Sequence, residues 1–101
     1  MKVLGLFGSP RRGGNTDLLL EEMLKGAESR GAKIERIFLS DLDISDCREC
    51  RSCEATGNCV VRDKMQEIYS KLMEADYIVL ASPIFFYGVT AQVKRMIDRC
   101  Q

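Results

Sequence analysis

A chain of 101 residues, with fifteen Lys and Arg against fifteen Asp and Glu, has room for one small domain and no basic run to hold nucleic acid. The absence of histidine excludes Ser-His-Asp and Cys-His nucleophile systems and any histidine metal ligand. The longest apolar run, Tyr77 to Ala81, is far short of the ~20 residues of a membrane span, and the N-terminus reads as a strand and not a secretory leader. The expected setting is cytoplasmic, where thiols stay reduced.

Lys2 to Gly8 is a short apolar run bounded by turn residues, the pattern of a strand covered on both faces. Ser9 to Gly14 reads as a loop. A helix is expected from Asn15 or Thr16, either of which can cap its first turn, with Asp17 suited to the dipole. Leu20, Met23, Leu24 and Ala27 recur on one face of it, and Gly31 supplies a C-terminal stop. Lys33 to Leu39 reads as a second strand, whose charges suit an edge position. Ser40 to Arg62 is polar, turn-rich and holds four of the five cysteines. A helix over Asp63 to Glu74 carries Met65, Ile68, Tyr69 and Leu72 on one face, and Tyr77 to Ala81 reads as a third, buried strand. Ser82 to Gly88 is a loop with three consecutive aromatics. A last helix starts at Val89 or Thr90, groups Val93, Met96, Ile97 and Cys100 on one side, and runs to Gln101 without a stop signal. This alternation implies an α/β domain, a parallel sheet with helices on both faces and right-handed crossovers.

Parallel sheets bind ligands beyond the carboxyl ends of their strands, where the strand order reverses. With the order 2-1-3, that crevice lies between the loops after the first and third strands. The loop from Ser9 to Thr16 has the make-up of a phosphate cradle. Its glycines admit close approach to backbone amides, Ser9, Asn15 and Thr16 add donors, and Arg11 or Arg12 adds charge. It lacks the Gly-Lys-Ser/Thr ending of a Walker loop, and Gly5 and Gly8 do not complete a dinucleotide fingerprint, so Asp41 reads as a solvated turn residue. A plain glycine turn with helix capping is the alternative. The second loop, Ser82-Pro83-Ile84-Phe85-Phe86-Tyr87-Gly88, reads alone as a hydrophobic plug or a subunit contact. Beside a phosphate cradle it suits the ring of a mononucleotide such as a flavin.

Cys47, Cys50, Cys53 and Cys59 form C-x2-C-x2-C-x5-C. Structural zinc usually takes two separated pairs of ligands, whereas compact spacing of this kind wraps a cubane iron–sulfur cluster. A ferredoxin-type run would continue into proline; here Val60 follows and no second set of cysteines exists, so all four would serve one cluster. Arg48, Arg51 and Arg62 would offset its charge, while Glu49 and Glu54 oppose them. Zinc and plain reduced thiols are the alternatives. Cys100, far from the motif, reads as a small core residue, and no side chain stands out as an acid–base catalyst.

Gly8-Ser9-Pro10-Arg11 through Asn15-Thr16, the four-cysteine motif, and Ser82-Pro83-Ile84-Phe85 to Gly88 with Lys94 and Asp98-Arg99 beyond resemble, in order, the iron–sulfur flavoproteins. These lie within the wider group of NADPH-dependent FMN reductases of flavodoxin-like fold. The cysteine motif is the most specific part; the other two loops are shared with relatives that hold no cluster. The resemblance implies FMN, with its phosphate at Ser9, Arg11, Asn15 and Thr16 and its ring near Pro83, Ile84, Phe85, Phe86, Tyr87 and Gly88. It also implies one 4Fe-4S cluster on Cys47, Cys50, Cys53 and Cys59. The implied protein is a homo-oligomer that exchanges electrons with a redox protein or a small donor or acceptor, away from nucleic acid and membrane. Against the five strands of that fold this chain supplies three, so the domain reads as truncated after its third strand and helix. Two other functions compete: an NAD(P)H-dependent FMN or quinone reductase without a cluster, and a non-catalytic zinc-stapled domain that binds a partner through Phe85, Phe86 and Tyr87.

Overall fold

The strand nearest the N-terminus is the centre of the sheet. In the computed structural model, which describes residues 1–100, β1 (Lys2–Phe7) lies between β2 (Lys33–Phe38) and β3 (Tyr77–Ala81), all parallel. Val3 sits opposite Ile34 on one side and Tyr77 on the other; Phe7 sits opposite Phe38 and Ala81. The helices are α1 (Asn15–Ser29), α2 (Ser52–Thr56), α3 (Met65–Glu74) and α4 (Ala91–Asp98).

Because successive strand residues face opposite ways, β1 feeds two cores. Val3 and Phe7 pack with Leu20 and Leu24 of α1. Leu4 and Leu6 face the other way, onto Met65 and Ile68 of α3 and Val93 and Met96 of α4. The sheet is therefore covered on both sides, with β1 the most buried strand. Gly5 is set by this packing: a Cβ there would lie 2.8 Å from Cδ1 of Leu24. Burying each of these aliphatic side chains contributes about 1.5–3 kcal/mol.

Several local expectations are corrected. β3 is not buried: as the second edge of the sheet it leaves Tyr77 58% exposed, with Ile78 and Leu80 also open. β2 is the edge strand its charges suggest. On α1, Leu20 and Leu24 are buried but Met23 lies exposed, because the face against β1 is narrower than the apolar stripe. The N-cap of α1 is Gly14, not Asn15 or Thr16; the Asp17 carboxylate reaches back and accepts the Gly13 N–H at 2.8 Å. At the other end Gly31, at φ 92°, follows the Arg30 cap and donates to Glu28 O at 2.9 Å.

The polar segment after β2 is not uniformly loop. A 3-10 turn over Leu39–Asp41 buries Leu39, and α2 interrupts the cysteine region. Asp41 stays exposed but is ion-paired with Arg12, whose guanidinium lies 3.7 Å from the centroid of the Phe38 ring. α3 begins at Met65, two residues inside the expected start, because Asp63 serves as a capping acceptor for the Met65 N–H at 3.0 Å. α4 ends at Asp98; the expectation that it continues to Gln101 falls outside the described residues at its last position. Cys100 is exposed, beyond the helix end, and Arg99 is the buried residue there. The stripe that faces the sheet steps in threes, Val93 to Met96 to Arg99, and Cys100 lies off it.

Candidate functional site

The carboxyl ends of β1 and β3 are joined by a buried hydrogen-bond junction. Gly8 N–H donates to Ala81 O at 2.8 Å, and the Thr90 hydroxyl donates to Gly8 O at 2.7 Å. The same hydroxyl accepts the Val93 N–H at 3.4 Å, capping α4. Ser82 Oγ accepts the Thr90 N–H at 3.1 Å and donates to Pro83 O at 2.9 Å. Gly8 is required at this point: a Cβ would lie 2.3 Å from Val93 Cγ2 and 2.7 Å from Ala81 O. The strand order places the two expected ligand loops at neighbouring strand ends, and this junction locks them together.

The first loop is organised from within. Ser9 is buried, and its hydroxyl both accepts the Arg11 N–H and donates to Arg11 O, each at 3.1 Å. Gly13 adopts φ 74°, in the left-handed region that suits glycine. The α1 hydrogen-bond ladder starts with Leu18 N–H to Gly14 O at 3.0 Å, so the amides of Asn15, Thr16 and Asp17 precede it. Free amides at a helix start, with the positive end of the dipole, suit an anion. Of the two arginines, Arg12 is engaged by Asp41 and Phe38, while the Arg11 guanidinium folds back over Gly14. Asp17, expected only to suit the dipole, does more: it takes the Gly13 amide with Oδ2, and its Oδ1 is buried without a hydrogen bond among the described residues.

The aromatic loop is a tight hairpin. Phe85 and Gly88 exchange N–H to O=C bonds at 2.9 and 3.0 Å, with Phe86 and Tyr87 at φ 47° and 69° between them. Positive φ at two bulky residues is strained and holds their rings outward; Phe86 is 94% and Tyr87 95% exposed, with ring centroids 5.8 Å apart. Ile84 is exposed beside them, and Phe85 is half-exposed.

The four motif cysteines lie on one surface segment, Cys47 and Cys50 exposed, Cys53 on α2 and Cys59 half-buried. Glu49 and Arg51 take left-handed φ of 56° and 65°, so the segment curls where the motif is densest. No three Cys, Asp or Glu side chains converge on one point among the described residues. The donor chemistry nonetheless suits a thiolate-held metal centre. Cys50 lies below the ordinary thiol range because the Ser52 backbone N–H and hydroxyl, at the start of α2, hydrogen-bond its sulfur. For Cys59, burial raises the pKa, but the Val61 N–H, Arg99 and Tyr69 outweigh it and the thiol is lowered.

Arg99 clasps both ends of the cysteine loop, and it is not among the three arginines that the sequence suggests for charge balance. Its side chain is 1% exposed. Nη1 donates to Ser45 O at 2.9 Å and Asp63 Oδ2 at 2.8 Å; Nη2 donates to Val61 O at 3.2 Å and Asp63 Oδ1 at 3.1 Å. Tyr69 Oη donates to Arg99 O at 2.5 Å. The guanidinium holds the Asp63 carboxyl at about 2, well below its usual value. Of the other arginines, Arg51 is ion-paired with Glu54 at 3.9 Å on the surface, and Arg48 adds a minor attraction at Cys50. The spacing that continues Val93 and Met96 to position 99 was the available signal for Arg99.

No helix among the described residues is long and apolar enough to cross a membrane. The sequence matches the NADPH-dependent FMN reductase family along residues 1–101. An iron–sulfur flavoprotein of Methanocaldococcus jannaschii is 44% identical over 99 residues, covering 98% of this chain and 51% of that protein. An iron–sulfur flavoprotein of Archaeoglobus fulgidus is 42% identical over 99 residues, covering 98% and 45%. The chain thus spans about half the length of the curated relatives it matches. Among solved structures, a flavone reductase superposes with a TM-score of 0.77 at 32% identity over 98% of this chain and 29% of its own. An NAD(P)H:quinone oxidoreductase from Methanothermobacter marburgensis reaches 0.81 at 21% identity over 98% and 52%, a likeness of fold. With its 2-1-3 parallel sheet and its two loops joined at the strand ends, this chain belongs to the NADPH-dependent FMN reductase family.

Proposed function

We propose that this chain carries the FMN loops and the cluster loop of an electron-transfer iron–sulfur flavoprotein. The observation that carries the reading is the buried Gly8–Thr90–Ser82 junction, which sets a loop of anion-binding make-up beside a loop of projecting aromatics. Support comes also from the names of the relatives, which are iron–sulfur flavoproteins.

In this reading the α1 amides with Ser9, Arg11, Asn15 and Thr16 hold the FMN phosphate, and Pro83 to Gly88 line its ring. The backbone amides neutralise phosphate charge, and the outward-held Phe86 and Tyr87 exclude water from one side of the site. Cys47, Cys50, Cys53 and Cys59 are the ligands of one 4Fe-4S cluster, with Cys59 fixed by the buried Arg99 node and the other three on the curled surface segment. The two groups, when bound, supply the one- and two-electron chemistry; the chain binds, orients and tunes them. Its partners are a redox protein or a small NAD(P)H- or quinone-type donor or acceptor, and it works as a homo-oligomer.

Anaerobic purification followed by flavin, iron, sulfide and zinc analysis tests the reading. Flavin with iron and acid-labile sulfide in equal amounts is the expected result. Stoichiometric zinc with neither iron nor flavin would overturn it in favour of a zinc-stapled interaction domain, and flavin without iron would leave a cluster-free FMN reductase. Cys59→Ala should abolish the iron while leaving the FMN loops intact; unchanged iron content would show that the ligand set is wrong.

A further inference from the structure

The arginine clamp at the end of α4 has no part in the flavin loops, and a buried guanidinium on the surface side of a sheet needs a reason. Arg99 makes four donor contacts within one small region, to Ser45 O, Val61 O and both oxygens of Asp63. Ser45 precedes the first motif cysteine, and Val61 and Asp63 follow the last, so one side chain closes the two ends of the cysteine segment on each other. Asp63 is itself fixed by accepting the backbone N–H groups of Ser45 at 2.8 Å and Met65 at 3.0 Å. Tyr69, on α3, ties down the Arg99 backbone carbonyl. The Cys59 thiol interacts with this guanidinium, and Arg99 Nε is buried with no hydrogen bond among the described residues. The anchored cation thus acts on a motif thiol while one of its buried donors has no hydrogen bond among the described residues.

We infer that Arg99 is a positioning residue of the cysteine loop, which closes its ends and raises the reduction potential of the metal centre held at Cys59. The inference rests on the cluster reading above. Reduction adds one electron and breaks no bond, so the reduced centre is more negative by one charge. A fixed cation and an N–H donor beside a ligating sulfur favour that state, and hydrogen bonds to sulfur are a principal means of setting such potentials. Asp63 partly offsets the charge, but its carboxylate is spent on Nη1, Nη2 and two backbone amides. Anchoring also matters: a cation held at four points does not turn away when the charge of the centre changes.

The test is a spectroelectrochemical titration with dithionite of the anaerobically purified holoprotein, with iron and sulfide measured on each sample. The variants are Arg99→Lys, which keeps the charge and loses the fork, and Arg99→Gln. Because Arg99→Gln strands a buried carboxylate, the paired variant R99Q/D63N removes both charges together and keeps the test open if the single variant does not fold. The expected order of cluster midpoints is wild type, then Arg99→Lys, then Arg99→Gln or the paired variant. The last step is about tenfold in the reduction equilibrium, or ~59 mV for one electron. The flavin midpoint should stay put, which a general loosening of the fold would not give. Equal cluster midpoints in wild type and the glutamine variants, at equal iron and sulfide, would overturn the inference alone. Wild-type protein without iron and sulfide would overturn the cluster reading and the inference with it.

Discussion

Acidification should dismantle the Arg99–Asp63 pair in a way that a single substitution isolates. The unfolded carboxyl titrates at 3.8, and in the fold Arg99 holds it at about 2. A depressed carboxyl stabilises the fold above its unfolded value and loses that contribution as the pH falls toward the folded one. The window is therefore from about pH 5 down to about 2. At 1.36 kcal/mol per pKa unit the contribution is about 2 kcal/mol, and the side chain is only 13% exposed, so solvent screening takes little of it away. Asp63→Asn removes the ionisable group and keeps the shape. Urea denaturation followed by circular dichroism, in chelator so that no metal contributes, should find the variant about 2 kcal/mol less stable at pH 6. That gap should close as the pH approaches 2, where the wild-type residue is itself neutral. A gap that stays constant from pH 6 to pH 2 would refute the reasoning, because it would mean that shape and not charge holds the pair.

Two glycines should respond in opposite directions in the same denaturation assay. Gly8→Ala forces a methyl against Val93 and the Ala81 carbonyl and should cost about 1–3 kcal/mol, while Gly26→Ala, on the open face of α1 with nothing within 4 Å, should add about 0.5–1 kcal/mol. Tyr87→Gly should relieve the left-handed strain at φ 69° and stabilise the fold by about 1 kcal/mol, yet weaken FMN binding as read by flavin fluorescence titration. Tighter flavin binding in that variant would argue against the aromatic loop as part of the flavin site.

Much of the architecture was legible because it is set locally. The strand at Lys2–Phe7, the alternation of strand and helix and the Thr90 start of α4 follow from short-range patterns, whereas the 2-1-3 order pairs residues far apart in sequence and came only with the family resemblance. The exposure of β3 was not, since Tyr-Ile-Val-Leu-Ala has the same composition whether a strand is central or marginal; only its neighbours decide. The cap of α1 was obscured by better-looking candidates: Asn15 and Thr16 precede Asp17, but the carboxylate at Asp17 has the reach to bind the Gly13 amide. The Cys100 and Arg99 exchange shows the limit of helix-face arithmetic. A buried arginine is tolerated only with a carboxylate partner, and Asp63 lies 36 residues away in sequence. The spacing of the cysteine motif suggests a ligand set but says nothing of the arginine at its base, which comes from the end of α4, after β3.

α4 starts at the junction between the two loops at the strand ends, where Thr90 is bonded to Gly8, and finishes at the arginine that clasps the cysteine segment. At 1.5 Å of rise per residue, the path from Thr90 to Arg99 is roughly 13 Å. The helix therefore acts as a ruler between the two regions, its length counted in residues and not left to loop flexibility. Its angular setting is counted as well, because one added residue would swing Arg99 by about 100° and carry it off the sheet-facing stripe. Such a chain can vary its surface loops freely, but the number of residues in this one helix is held by two separate sites at once.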